Sequence, residues 1–407
     1  MRKIGIYNPY LETRGGGEKY TLALAETLAK DKDNQVYLIA HSKIDLEYPG
    51  KYFQVDVRNF KLLVINTSSI FLKIIRSLHL PTMTQNLFFD HAALKAIKKE
   101  DFDVFINNCY QSNMPAPTKT SVYMCMFPQK LGNKDPRIDI FKKIYLVIMH
   151  MLYRLTLHPR NKYAVNTYKY ITSNSEFTRH HIKKRWGRDS TVLYPISENM
   201  RASNPPDKEK IILNVGRFFE NSGQNHHKRQ DMLLDAFSEL KDLHKDGWQL
   251  HFVGSVAEDV GALKYVLKLM KSANGLPVYF HFNSSFKDLR ELYNEASIYW
   301  HATGIGSDVQ KKPERQEHFG ISTVEAMSTG CIPVVINSAG QKESVVHGKN
   351  GFLWETEKEL QDYTKQIASL PVAELKQLQA EAIKDAARFN KTAFNKQIEA
   401  TFREIFS

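Results

Sequence analysis

EHFGISTVEAMSTG, Glu317 to Gly330, decides the reading of this chain, because it sets two carboxylates, Glu317 and Glu325, eight residues apart with a glycine turn and a helix start between them. Gly320 lets the backbone bend sharply, and Ser322 followed by Glu325 is a capping-box pattern that opens a helix closed by Gly330. The first amides of a helix have no intrahelical partner and carry its positive end. The N–H groups of Ile321, Ser322 and Thr323, with Phe319 and Gly320 leading into them, therefore suit a phosphate. Glu325, expected in the first turn, reaches hydroxyls of the kind that sugars and ribose present. A plainer alternative keeps Ser322 and Glu325 as a cap and Glu317 as a solvated loop acid.

Upstream of the motif, short apolar runs alternate with helical stretches. IILNVGRF is a strand whose end carries Gly216 and Arg217, and after a histidine-bearing loop comes the helix KRQDMLLDAFSELK, starting at Lys228 and apolar at Met232, Leu233, Ala236, Phe237 and Leu240. His226 and His227 lack a third ligand at suitable spacing and are read as loop residues. LHFVGS ends a strand at Gly254, and VYFHFN and SIYWHAT continue the series, with helices expected over about 256 to 271 and 286 to 295. A charged, glycine-bearing loop from Gly304 to Gln316 leads into the acidic motif. Beyond it, CIPVVI and GFLW are strands, and three helical stretches finish the chain.

The amino half has the same rhythm. KIGIYNP reads as a buried strand, followed by a glycine-rich loop with Gly15, Gly16 and Gly17, and a helix expected over 18 to 30. Those glycines would let backbone pass close to a ligand, and a plain tight turn is the alternative. QVYLIA, KLLVIN, FDVFINN and SVYMCMFP are further strands of a parallel sheet, whose ligands gather at the strand carboxyl ends. The acids Asp101 and Asp103 precede a strand and are read as a solvated entry to it, not a metal site. TSNSEFTRHHIKKRWG is a strand, the cap Ser175 and a helix to about Trp186. Two segments mix apolar and basic residues at helical spacing, Ser68 to His79 and 141 to 158. Each is either a core-facing helix or a membrane contact. The polar SENMRASNPPDKEK, with paired prolines, is the natural linker.

At 407 residues the chain exceeds one comfortable core, and 42% hydrophobic with 25% charged residues is an ordinary globular balance, so two domains are expected. The net charge of +12 favours phosphate-bearing partners: nucleotides, nucleic acid or an anionic membrane surface. Cys109, Cys125 and Cys331 form neither a disulfide framework nor a metal pattern, and their apolar settings predict buried thiols in a reducing, cytoplasmic compartment. No run of about 18 apolar residues is present to span a bilayer, and the amino end lacks a signal-like apolar core.

The motif around Glu317 and Glu325 resembles the E-x7-E motif of the large family of retaining glycosyltransferases of GT-B type, which contains sucrose synthases and many mannosyltransferases. The resemblance is strongest from Ile211 to Trp354. It implies two Rossmann-like α/β domains facing across a cleft: residues 1–197, a linker over 198–210, a nucleotide-sugar domain over 211–390, and a terminal helix over 391–407 crossing back. It implies that Glu317 contacts the donor sugar and Glu325 the ribose. Arg217 and Lys228 would bind the donor diphosphate, the nucleotide would pass Gly216 and Gly254, and Gly16 and Gly17 would face donor phosphate and acceptor. A histidine usual before the aromatic-proline pair of SVYMCMFP is replaced by Met126, next to Cys125, which puts that histidine's role in question.

The reaction so implied moves a hexosyl unit from a nucleotide-diphosphate sugar to a hydroxyl of a glycan or lipid-linked glycan, with retention and with no metal or cofactor. The expected setting is cytoplasmic, extending to the inner face of a membrane. A sugar-nucleotide epimerase or sugar phosphorylase shares the fold and is the first alternative. A basic nucleic-acid-binding protein is the second, but no aromatic-interleaved basic run or binding motif supports it, so nucleic acid is not an expected partner.

Overall fold

The computed structural model describes residues 1–11, 15–65, 82–131, 140–157, 163–219, 227–256 and 259–407. The stripe from Ser68 to His79, His226 and most of its loop lie outside the described residues. The chain forms two compact units, Met1–Pro195 with Phe394–Ser407, and Ile196–Ala393.

In the first unit, strands β1 (Arg2–Tyr7), β2 (Asn34–Ala40), β3 (Phe60–Val64), β4 (Val104–Asn107), β5 (Thr120–Cys125), β6 (Tyr170–Ser173) and β7 (Thr191–Val192) form a sheet in the order β3-β2-β1-β4-β5-β6-β7. Every pairing is parallel. Such a sheet has helices on both faces, so its central strands need apolar residues on both sides. Ile4, Ile6, Ile39, Phe105, Ile106 and Val122 accordingly have no exposed surface. The helix Glu176–Trp186 starts at Ser175, whose hydroxyl accepts from the Thr178 amide at 3.1 Å, as its sequence predicts. The final helix, Lys391–Phe406, docks in this unit. Phe394 meets Tyr20 edge-on at 5.5 Å, and Thr27 donates to Asn395 at 2.7 Å.

In the second unit, β8 (Glu209–Val215), β9 (Gln249–Gly254), β10 (Val278–Phe282), β11 (Ala296–His301), β12 (Ile332–Ile336) and β13 (Phe352–Trp354) give a sheet in the order β10-β9-β8-β11-β12-β13, again parallel throughout. Its core is aromatic, with Phe218, Phe237, Phe252, Trp300 and Trp354 fully buried. Both units are Rossmann-like. Residues 197–208 carry no helix or strand but are tied down within the second unit: Met200 N–H to Ser328 Oγ at 2.9 Å, Ala202 N–H to Asn294 at 2.9 Å, and Arg290 to the Arg201 carbonyl at 2.8 Å.

The strand order reverses between β1 and β4 in one unit and between β8 and β11 in the other. At such a switch point neighbouring connections leave on opposite faces and open a crevice at the strand carboxyl ends. Val215 and His301, the last residues of β8 and β11, mark that place in the second unit.

Candidate active site

Gly216 and Arg217 follow directly from β8. A Cβ on Gly216 would sit 2.8 Å from Lys228 Cγ, so the missing side chain is what lets the lysine run across the strand end. Gly254, ending β9, lies so close to the Gly216 carbonyl that any Cβ would collide with it. The glycines expected beside the nucleotide are thus also required by strand-end packing. Lys228 does not open the next helix, contrary to expectation. Arg229 takes a left-handed backbone conformation, φ 55°, and the helix begins at Gln230, leaving Lys228 free to turn back over Gly216.

Lys228 Nζ donates to Glu317 Oε2 at 2.6 Å, bringing together two residues far apart in sequence. Their side chains keep only 20% and 18% of their exposure. His301 adds a third group. Its Nε2 lies 3.2 Å from the same carboxylate oxygen, and because a carboxylate only accepts, that nitrogen carries the hydrogen. Burial lowers the His301 pKa, and the hydrogen bond and charge of Glu317 work in the opposite direction. Its Nδ1 is buried without a hydrogen-bond partner among the described residues. Arg217, directly after Gly216, is exposed, and its guanidinium has no bonded partner among the described residues.

Glu317 is also fixed through its backbone, whose carbonyl accepts from Gly340 N–H at 3.0 Å. A Cβ on Gly340 would strike the His318 carbonyl, so the turn after β12 closes tightly on the acidic motif. Gln316 braces the loop before it, with Nε2 donating to the Ser307 carbonyl at 3.1 Å and Oε1 accepting from Ser338 at 2.7 Å.

The helix after Gly320 corrects the capping-box expectation. It spans Ile321–Ser328 with Gly320 as its N-cap at φ 97°, so Ser322 lies inside the first turn and Glu325 falls in the second. Ser322 Oγ instead accepts from the Tyr299 hydroxyl at 2.7 Å, and Tyr293 donates to Glu325 Oε2 at 3.3 Å. Burial drives both phenols well above their ordinary pKa, so they stay protonated donors. Thr323 N–H is taken by the Gly320 carbonyl at 3.1 Å, which leaves Ile321 and Ser322 as the first-turn amides without an intrahelical acceptor. Phe319 is buried against Phe389, ring centroids 5.0 Å apart, and serves packing. Thr329 ends the helix, with Gly330 following at φ 80°.

In the first unit Gly16 and Gly17 are not loop but the first residues of the helix Gly16–Ala29, because Gly15 N–H bonds the Glu18 carboxylate at 2.9 Å and caps it. Asn8 and Asn108, just past β1 and β4, both donate to Thr21 Oγ1, at 2.8 and 2.7 Å, and hold this helix at the switch point. Met126 is half-buried and its backbone carbonyl accepts from the Thr178 hydroxyl at 3.3 Å, while Cys125 is a buried thiol whose pKa burial raises. Neither brings a charge to the place of the family histidine. All three cysteines are free and buried, Cys331 with its pKa pushed up to about 12. His227 bonds the Arg229 amide at 3.2 Å, and Asp103 the Lys3 amide at 2.7 Å. Among the described residues no group of three His, Cys, Asp or Glu is placed to hold a metal ion, and no helix is long and apolar enough to cross a membrane.

His301, Tyr293, Tyr299 and Gln316 escape sequence reading, since each resembles ordinary core or loop. For His301 one signal exists. It is the last residue of a strand at the switch point, where ligand-facing groups collect.

Residues 195–389 match the family described as glycosyl transferases group 1. The chain is 24% identical, over 97% of its length and 83% of the relative's, to the GDP-Man:Man(3)GlcNAc(2)-PP-Dol alpha-1,2-mannosyltransferase of Dictyostelium discoideum. Among solved structures it is similar to sucrose-phosphate synthase of Thermosynechococcus elongatus, with TM-score 0.68 and 15% identity over 100% of this chain and 99% of that one. It is also similar to HepE of Anabaena in complex with UDP and glucose, with TM-score 0.62 and 17% identity over 99% and 100%. With two parallel Rossmann-like sheets and this match across its second unit, the chain is a glycosyltransferase of GT-B fold.

Proposed function

We propose that this protein transfers a hexosyl unit from a nucleotide-diphosphate sugar to a hydroxyl of a glycan or lipid-linked glycan, with retention and without a metal ion. The observation that carries the reading is the contact of Lys228 Nζ with Glu317 Oε2 at the β8–β11 switch point. A cation and an acid there can divide the donor between them. The diphosphate, carrying more charge than one carboxylate, competes for Lys228, and Glu317 is then released to accept hydrogen bonds from the sugar. Arg217 and the amides of Ile321 and Ser322 add positive charge for the phosphates, and Glu325 takes the ribose hydroxyls. When the bond between the anomeric carbon and the diphosphate oxygen breaks, its electron pair goes to that oxygen, where fixed cations stabilise it. The acceptor hydroxyl then forms the new bond to the anomeric carbon on the same face and gives its proton to that departing diphosphate oxygen.

The Dictyostelium relative is named for GDP-Man and a dolichol-linked acceptor, which makes GDP-mannose the first donor to test. A membrane-held acceptor also suits the helix Ile140–Leu157, which exposes Ile144, Val147, Ile148, Met151 and Leu155 along one side. An anionic membrane on the cytoplasmic side is thus the proposed setting, and nucleic acid is not a partner in this reading. A panel of nucleotide sugars, scored for nucleotide release with and without a glycan acceptor, tests it. Release from one or two hexose donors is expected, and no release from any donor would overturn it.

A further inference from the structure

The helix Val260–Ser272, VGALKYVLKLMKS, connects β9 to β10 and is apolar on two sides. Its inner side, Ala262, Tyr265, Val266 and Leu269, is buried in the second unit's core. Its outer side carries Val260, Leu263, Leu267 and Met270, which are 68%, 53%, 66% and 47% exposed. Helical spacing of three and four puts these four on one stripe. Lys264, Lys268 and Lys271, all exposed, make a second stripe directly beside it, and the helix contains no acidic residue.

A helix that only needs to cover a sheet has no use for leucine on its outer side, where charged residues are the rule. Four outward apolar side chains bordered by lysines of one sign have the layout of a helix lying in a lipid interface, apolar row inward and ammonium groups at headgroup level. We propose that this face is a docking surface for an anionic lipid bilayer, separate from any contact made by the helix Ile140–Leu157 in the other unit.

Charge selects the occupant. The lysine row and the chain's net +12 match anionic phospholipid headgroups. A second copy of this chain would bring like charges together, and four side chains on one short helix fall well below the roughly 1,000 Å² that a stable protein interface needs. The proposal does not depend on the transfer reaction, so it is tested without nucleotide sugar.

The full chain is mixed with vesicles of phosphatidylcholine alone, or with about one-third phosphatidylglycerol, and the bound fraction is measured as salt is raised. Binding is expected only with the anionic lipid and should fall with salt. Leu263→Gln with Leu267→Gln, and separately Lys264→Gln with Lys268→Gln, should each weaken it about tenfold, with the melting temperature retained. Val147→Gln with Met151→Gln, on the other helix, separates the two surfaces. Binding that survives both changes on Val260–Ser272, that occurs equally on neutral vesicles, or that is absent altogether would overturn the proposal. So would self-association in solution that the leucine changes abolish.

Discussion

Glu317 holds Lys228 at 2.6 Å and accepts from His301 at 3.2 Å on the same oxygen, so its charge is balanced before any donor arrives. Replacing it by glutamine keeps the shape and an acceptor for Lys228 but removes the negative charge that balances it. We expect Glu317→Gln to lower kcat by on the order of 100-fold with a smaller change in donor KM, measured by steady-state nucleotide release; an unchanged kcat would leave Glu317 only a structural acid. Glu325 does not cap its helix but accepts from Tyr293. Glutamine can still accept that bond, so Glu325→Gln should weaken donor binding while moving the melting temperature little. The opposite pattern would make it structural. Asp90, in the first unit, is fully buried, and burial lifts its pKa from 3.8 to about 7 against the hydrogen bonds from Ser112 and Asn113. The folded chain therefore binds this proton more tightly than the unfolded chain. Its contribution to stability falls as pH rises from about 4 to about 7 and is constant above. Asp90→Asn should flatten that part of the melting-temperature profile, and an unaltered slope would place the titration elsewhere.

Most strands are legible in the sequence because parallel strands buried on both faces must be continuous apolar runs, and IILNVG, IPVVI and VFIN have no other use. Helix starts are less legible. Ser322 and Glu325 have the spacing of a capping box, yet Gly320 in the left-handed region begins the helix early and Tyr299 takes the serine hydroxyl. Gly16 and Gly17 read as loop, but a Glu18 carboxylate on the Gly15 amide pulls them into helix. In each case a tertiary or reciprocal partner decides, and a one-dimensional pattern does not record it. Lys228 and Glu317 can be picked out by resemblance, but their contact cannot, nor can His301, whose position in a buried strand looks like core. The helical placement of Gly17 has a testable result. A Cβ there would meet nothing within 4 Å, so Gly17→Ala should raise stability by about 0.5 to 1 kcal/mol. If backbone at Gly17 also passes close to a ligand, turnover should fall despite the higher melting temperature. Gly254→Ala should do the reverse of stabilising, because its methyl group would collide with the Gly216 carbonyl, and a loss of about 1 to 3 kcal/mol in urea unfolding is expected.

Each unit carries its own parallel sheet and its own switch point, and the second unit holds Arg217, Lys228, Glu317, Glu325 and the helix start at Ile321. The donor chemistry proposed for the whole molecule is therefore concentrated in one unit, and cationic side chains are given the work a divalent ion does elsewhere. Chelation by EDTA should leave turnover nearly unchanged, whereas a complete loss restored by magnesium would refute metal independence. The central claim is that fixed cations stabilise the departing diphosphate, and it is tested most directly by the kinetics of Lys228→Met and Arg217→Lys at saturating donor. A cation acting in the transition state lowers kcat far more than it raises KM, and a lysine cannot reproduce the planar fork of arginine. The account predicts a fall in kcat on the order of 100- to 1,000-fold for Lys228→Met and incomplete activity for Arg217→Lys. Values of kcat within about threefold of the parent for both variants would contradict it.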